Sequence, residues 1–172
     1  AFFGWWAMKD RLEFGHDQFN QVAWITATSS AEKTCHRVTI SDRGIGMTEE
    51  EVDKYLNQVA FSGAEEFLDK YKGQNENNII GHFGLGFYSS FMVSEKVEVI
   101  TRSFKEGAKP VRWECDGSPE FLLEDVEKEG RGTDIVLHLN EESIEFLEPE
   151  RIKTVLDKFC RFLPVPILFE GT

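Results

Sequence analysis

Apolar and polar residues alternate most clearly from Cys35 onward. The run His36-Arg37-Val38-Thr39-Ile40-Ser41 puts Val38 and Ile40 on one side and is rich in β-branched residues, which predicts a half-buried strand. Val97 to Ser103, Val111 to Glu114 and Asp134 to Leu139 alternate in the same way, with glycine- and proline-marked turns between them. Together they predict an antiparallel sheet with short loops. Two helices accompany it. Thr48 and Glu51 form a capping box, Glu49 and Glu50 suit the positive end of a helix, and Val52, Tyr55, Leu56 and Val59 recur at helical spacing over about three turns. Pro149 suits the first turn of another helix, on which Ile152, Val155, Leu156 and Phe159 share a face before Pro164 and Pro166 stop it. The aromatics from Phe2 to Trp24 keep no period, so the first thirty or so residues predict no definite element. The expected class is α+β: a two-layer sandwich with a mostly antiparallel sheet covered by helices on one face.

The chain has 172 residues, the length of one domain. Hydrophobic residues make up 41%, and no apolar run is long enough to span a bilayer, so no membrane association is expected. Nineteen Lys and Arg against thirty-one Asp and Glu give a formal charge of −12, which argues against a duplex nucleic-acid partner. Cys35, Cys115 and Cys160 form no C-x-x-C pair, so neither a zinc ribbon nor a disulfide framework is suggested and a reducing cytoplasm is the expected setting. Ala1 to Met8 is apolar but lacks a basic flank and a small-residue cleavage site, and does not read as a signal peptide.

Two constellations carry candidate chemistry. Asp42-Arg43-Gly44-Ile45-Gly46-Met47 places a carboxylate at a strand end, followed by alternate glycines. An ionised carboxylate only accepts hydrogen bonds and suits an exocyclic amine such as the adenine N6 group, while glycines let backbone approach a ring. Taken alone, the same residues equally describe an ordinary strand-to-helix turn. Gly81-x-x-Gly84-x-Gly86 opens onto an apolar, helix-compatible run, where successive backbone N–H groups can form a nest for phosphate. It is neither the G-x-G-x-x-G of a dinucleotide fold nor a Walker A loop. Taken alone it could equally be a flexible loop. Between the two, Gly73 to Asn78 is polar, turn-prone and a mobile-loop candidate. Near the phosphate candidate, His82 has no Cys or second His close in sequence and reads as a loop residue rather than a metal ligand.

The combination resembles the ATP-binding fold shared by gyrase B, histidine kinases, MutL mismatch-repair proteins and heat-shock protein 90 chaperones. Within that group the chain is most similar to the bacterial heat-shock protein 90 branch. The residues that carry this are Ser41 to Thr48, Ala60-Phe61-Ser62-Gly63, Ile80 to Ser89, Trp113-Glu114 and Arg131 to Leu139. The resemblance runs from about Thr34 to the C-terminus. It implies a segment 1–33 of uncertain role and a nucleotide-binding domain at 34–172.

By the same resemblance Asp42 is the adenine-reading carboxylate, Gly46 and Met47 line the base pocket, and Thr133 holds the base through water. Gly81, Phe83, Gly84, Leu85, Gly86 and Phe87 surround the phosphates or the pocket wall, and Phe61 to His82 correspond to a lid that closes over the nucleotide. The implied ligands are ATP or ADP with Mg²⁺. Client proteins and a homodimer partner belong to the full-length stress-response chaperone, whose ATP hydrolysis drives lid closure and dimerisation, and the isolated domain is expected to be monomeric. The family's Glu-x-x-x-Asn signature is not found: Glu13 is followed at that spacing by Asp17, and Asn20 is preceded by His16. No general base or Mg²⁺-binding Asn is assigned. A nucleotide-binding module without turnover, a sensor histidine kinase and a DNA-repair ATPase stay open as alternatives.

Overall fold

The computed structural model describes residues 23–29, 35–57, 87–162 and 166–171. Among these, seven strands form one sheet: β1 Ala23–Ser29, β2 His36–Ser41, β3 Ser94–Arg102, β4 Val111–Cys115, β5 Leu122–Asp125, β6 Gly132–Leu139 and β7 Ile167–Gly171. The spatial order is β5-β4-β3-β6-β2-β1-β7. Every neighbouring pair is antiparallel except β1 and β7, which run parallel. The α+β class and the mostly antiparallel sheet therefore hold.

Alternation decides which face is buried. Ile25, Val38, Val99, Trp113, Ile135 and Leu137 point into one apolar core, joined from the covering layer by Val52, Leu56, Phe87 and Ile152. Each side chain of this size removed from water contributes about 1.5–3 kcal/mol. The opposite face carries Lys96, Glu98, Arg112, Glu114 and His138, linked by ion pairs.

The predicted capping box is present: the Thr48 hydroxyl accepts from Glu51 N at 3.3 Å, and the Glu51 carboxylate accepts from Thr48 N at 2.9 Å. The α-helix Glu49–Val52 then widens into a π-turn, Asp53–Asn57, which keeps Val52 and Leu56 buried. The C-terminal helix Pro149–Phe159 starts with its proline in the first turn.

Some elements differ from expectation. The run after Gly86 forms a 3₁₀ turn, Tyr88–Met92, before β3 takes over. The acidic stretch Glu120 to Glu129 contains the mostly exposed edge strand β5, where Lys109 and Arg112 meet Asp125 and Glu124. Two segments without a predicted element, Ala23–Ser29 and Ile167–Gly171, pair with each other as β1 and β7. The mobile-loop candidate at 73–78, the corresponding lid segment and His82 lie outside the described residues.

Candidate functional site

The site forms where β2 ends beside β6. Asp42 N donates to Thr133 O at 2.8 Å, and Thr133 N returns a bond to Asp42 O at 3.2 Å, so the ladder runs one step past Ser41. The Asp42 side chain folds back over this corner. Its Oδ1 accepts from Gly44 N at 2.8 Å and from Thr133 N at 3.3 Å. Among the described residues, no bond is made to Oδ2. The side chain is thus fixed through one oxygen and presents the other.

Protein atoms crowd this carboxyl although the residue keeps partial solvent access. Burial raises its pKa from 3.8 to about 6, against the lowering effect of the bonds from Gly44 and Thr133; Asp134 raises it further and Lys128 opposes. Lys128 is itself paired with Asp134.

Two glycines permit the corner. Gly132 sits at φ +113°, and a Cβ there would stand 2.2 Å from Asp42 O. Gly46 sits at φ +62°, and a Cβ there would stand 1.8 Å from Arg102 O. Both positions combine a left-handed backbone with a space only hydrogen can fill. The loop from Asp42 to Met47 is tied to the end of β3: Phe104 N donates to Ile45 O at 2.7 Å, and Met47 N donates to the Thr101 hydroxyl at 2.9 Å. Thr101 Oγ1 lies 3.0 Å from Thr133 Oγ1 and 3.3 Å from Gly132 O. Both threonines and Met47 are almost fully buried.

Of the residues expected from sequence, Asp42, Gly46, Met47 and Thr133 come together here. Phe87 lies in the core, its ring tilted against Trp113 at 5.7 Å and edge-on to Phe91 at 6.3 Å. Gly81, Phe83, Gly84, Leu85 and Gly86 fall outside the described residues. Thr101 was not singled out by sequence. Its one signal was parity, since it occupies a core-facing position of β3 where Val97 and Val99 precede it. Gly132 stands in the sequence only within the Arg131 to Leu139 run, and the close approach to Asp42 O that requires it is visible only in three dimensions. Among the described residues, no group of three or more His, Cys, Asp or Glu side chains could hold a metal.

A loop of alternate glycines leaving a strand-end aspartate, locked to a threonine pair on two neighbouring strands, matches a known class. The family model described as histidine kinase-, DNA gyrase B-, and HSP90-like ATPase matches residues 21–145, and the chain belongs to that family. Within it, the chain is 67% identical over 132 residues to the chaperone protein htpG of Bacteroides fragilis (strain 638R), covering 77% of this chain and 19% of that protein. It is 61% identical over 145 residues to the chaperone protein HtpG of Porphyromonas gingivalis, covering 84% and 21%. With HtpG of Idiomarina loihiensis it shares 39% identity over 164 residues, covering 94% and 25%. The chain therefore spans about a fifth to a quarter of the length of these curated relatives. No helix among the described residues is long and apolar enough to cross a membrane.

Proposed function

We propose that this chain is the adenine-nucleotide-binding domain of a chaperone of the HtpG kind, binding ATP or ADP. The observation that carries this is the half-committed carboxylate: Asp42 is held through Oδ1 by Gly44 and Thr133, leaving Oδ2 as an acceptor at the floor of the corner. An adenine N6 amino group supplies the matching donor. Gly46 and Met47 present backbone without a side-chain obstacle beside it, and the buried Thr133 hydroxyl holds a water against the ring. Phe87 braces the wall through Trp113. Gly81, Phe83, Gly84, Leu85 and Gly86 form the phosphate nest, a role that rests on their sequence pattern alone.

Mg²⁺ accompanies the phosphates in this reading and would supply charge neutralisation there; no ligand for it is assigned among the described residues. In the full-length protein, hydrolysis coupled to lid closure and homodimerisation acts on client proteins in the cytoplasm, and this domain alone is a monomer. The HtpG relatives support this reading over a sensor kinase or a DNA-repair ATPase.

Calorimetric titration of ADP with Mg²⁺ into this chain and into Asp42→Asn tests it. Saturable binding by the parent and none by the variant is expected. Equal binding by both would remove Asp42 from the reading, and no binding by the parent would overturn the proposed function for this chain. Hydrolysis is a separate question, since the Glu-x-x-x-Asn signature is absent. Single-turnover assays with excess domain decide between an ATPase and a module that binds without turnover.

A further inference from the structure

The charged face of the sheet holds a second constellation, remote from Asp42 at the opposite end of β2. Cys35 Sγ lies 3.8 Å from His138 Nδ1 and receives a hydrogen bond from Arg37 Nε at 3.2 Å. The other imidazole nitrogen, Nε2, is bound to Glu98 Oε1. Burial opposes ionisation of Glu98, but the bonds from His138 and Arg112 outweigh it and hold its carboxyl below the usual range. A carboxylate only accepts, so it draws the imidazole proton to Nε2 and leaves the Nδ1 lone pair facing the thiol. A nucleophile, a base beside it and a third group that orients the base are thereby arranged in sequence.

We propose that Cys35 is a peroxide-reactive thiol, with His138 as its general base, Glu98 as the residue that positions the base, and Arg37 as the cation on sulfur. In the reaction the Cys35 proton passes to His138 Nδ1 as sulfur attacks one oxygen of a hydroperoxide. The S–O bond forms and the O–O bond breaks. Attack falls on the terminal oxygen, and the departing hydroxide of hydrogen peroxide, or alkoxide of an organic hydroperoxide, takes the proton back from His138 and leaves as water or an alcohol. Sulfur is oxidised to sulfenic acid and the peroxide is reduced, so the oxidant is the hydroperoxide itself.

The molecule contains its own controls. Cys115 is buried, accepts from Gly117 N at 3.2 Å and directs its proton to Ser118 O at 3.5 Å, a carbonyl that cannot act as a base at neutral pH. Cys160 caps the C-terminal helix and has no basic partner among the described residues.

The test is treatment of the whole chain with hydrogen peroxide in the presence of a 1,3-dione that traps sulfenic acid, with mass-spectrometric readout at each cysteine. At pH 7, Cys35 is expected to be trapped at least about tenfold faster than Cys160, as general-base help implies. His138→Gln should bring Cys35 down to the Cys160 rate and change the pH profile of its trapping. The charges facing this group are Arg37 on β2, His138 on β6, Glu98 and Lys96 on β3, and Arg112 and Glu114 on β4. Glu98→Gln should likewise slow trapping and change its pH profile. Arg37→Gln, at an exposed position whose loss leaves the core intact, should slow trapping severalfold. Equal trapping of Cys35 and Cys160 would overturn the proposal, as would an unchanged rate and pH profile in both His138→Gln and Arg37→Gln.

Discussion

Asp42→Asn should make the ligand-free protein more stable while removing nucleotide binding. In the fold this carboxyl ionises at about pH 6 rather than at its ordinary 3.8, chiefly because burial opposes its charge. That difference corresponds to about 3 kcal/mol of destabilisation at neutral pH, as an upper bound. Asp42 keeps partial solvent access, and an amide has its own desolvation, so a gain of about 1.5 kcal/mol is expected, or about 3–6 °C in Tm for a chain of this length. Asparagine keeps Oδ1 for Gly44 and Thr133 and replaces only the unbonded oxygen with a donor. That donor then faces the adenine amine. The sign with pH is fixed: below about 3.8 the proton is bound in both folded and unfolded chains and the variant gains nothing. Its advantage grows between about pH 4 and 6, and is constant above. The assay is thermal unfolding of both proteins from pH 3.5 to 8, with and without ADP. A variant no more stable at pH 7.5, or one whose gain is independent of pH, would refute the assignment of a buried, under-bonded carboxylate.

Gly46→Ala should destabilise the chain by at least about 2–3 kcal/mol and abolish nucleotide binding, because Cβ would overlap Arg102 O while the backbone is held at φ +62°; denaturant unfolding and calorimetry check both. Thr101→Val keeps the shape but leaves Met47 N–H without its acceptor, so a loss of about 1–3 kcal/mol is expected by denaturant unfolding, with weaker ADP binding. Glu98→Gln should lose about 1–3 kcal/mol near neutral pH, since Arg112 and His138 lose a charged acceptor. With the Glu98 carboxyl held below its ordinary value of 4.5, that contribution is complete above 4.5 and fades as pH falls through the folded value. Urea midpoints from pH 3 to 7 should show the parent and variant converging in acid.

The strands legible in the sequence are those that bury one face against helices. In β2, β3, β4 and β6 every second residue meets the core, so period-two alternation survives. In β1 the signal fails because a large apolar residue sits on the other face: Trp24 lies beneath the Arg43 guanidinium at 4.8 Å and looks, in sequence, like one more scattered aromatic. The edge strand β5 is acidic and mostly exposed, held by pairing and by cations from Lys109 and Arg112 rather than by burial. Such charge is common on sheet edges and imitates a solvated loop. Strand β7 depends on parallel pairing with a segment far away in the chain, including Ala23 N to Pro166 O at 3.0 Å, which no local pattern encodes. Candidate-site legibility follows the same division. Asp42 and its glycines have a fixed spacing that can be read, whereas Thr101 reaches Met47 only because β3 and β6 are neighbours.

Asp42 and Glu98 show how this sheet treats two carboxylates differently, one satisfied by charged partners and one held by backbone amides alone. Burial opposes the charge on both, and more strongly on Asp42, around which protein atoms crowd more closely. Glu98 has that opposition overcome, because Arg112 and His138 bond to it and Lys96 stands at 3.6 Å. Asp42 does not, because its bonds come from two uncharged backbone amides, and Lys128, the nearby cation, is committed to Asp134. Glu98 has both its oxygens engaged, by Arg112 and His138. Among the described residues Asp42 retains an oxygen without a bond and an unfavourable free energy that a proton or an incoming donor relieves, which is the condition for binding energy to be realised at that atom rather than stored in the apo fold.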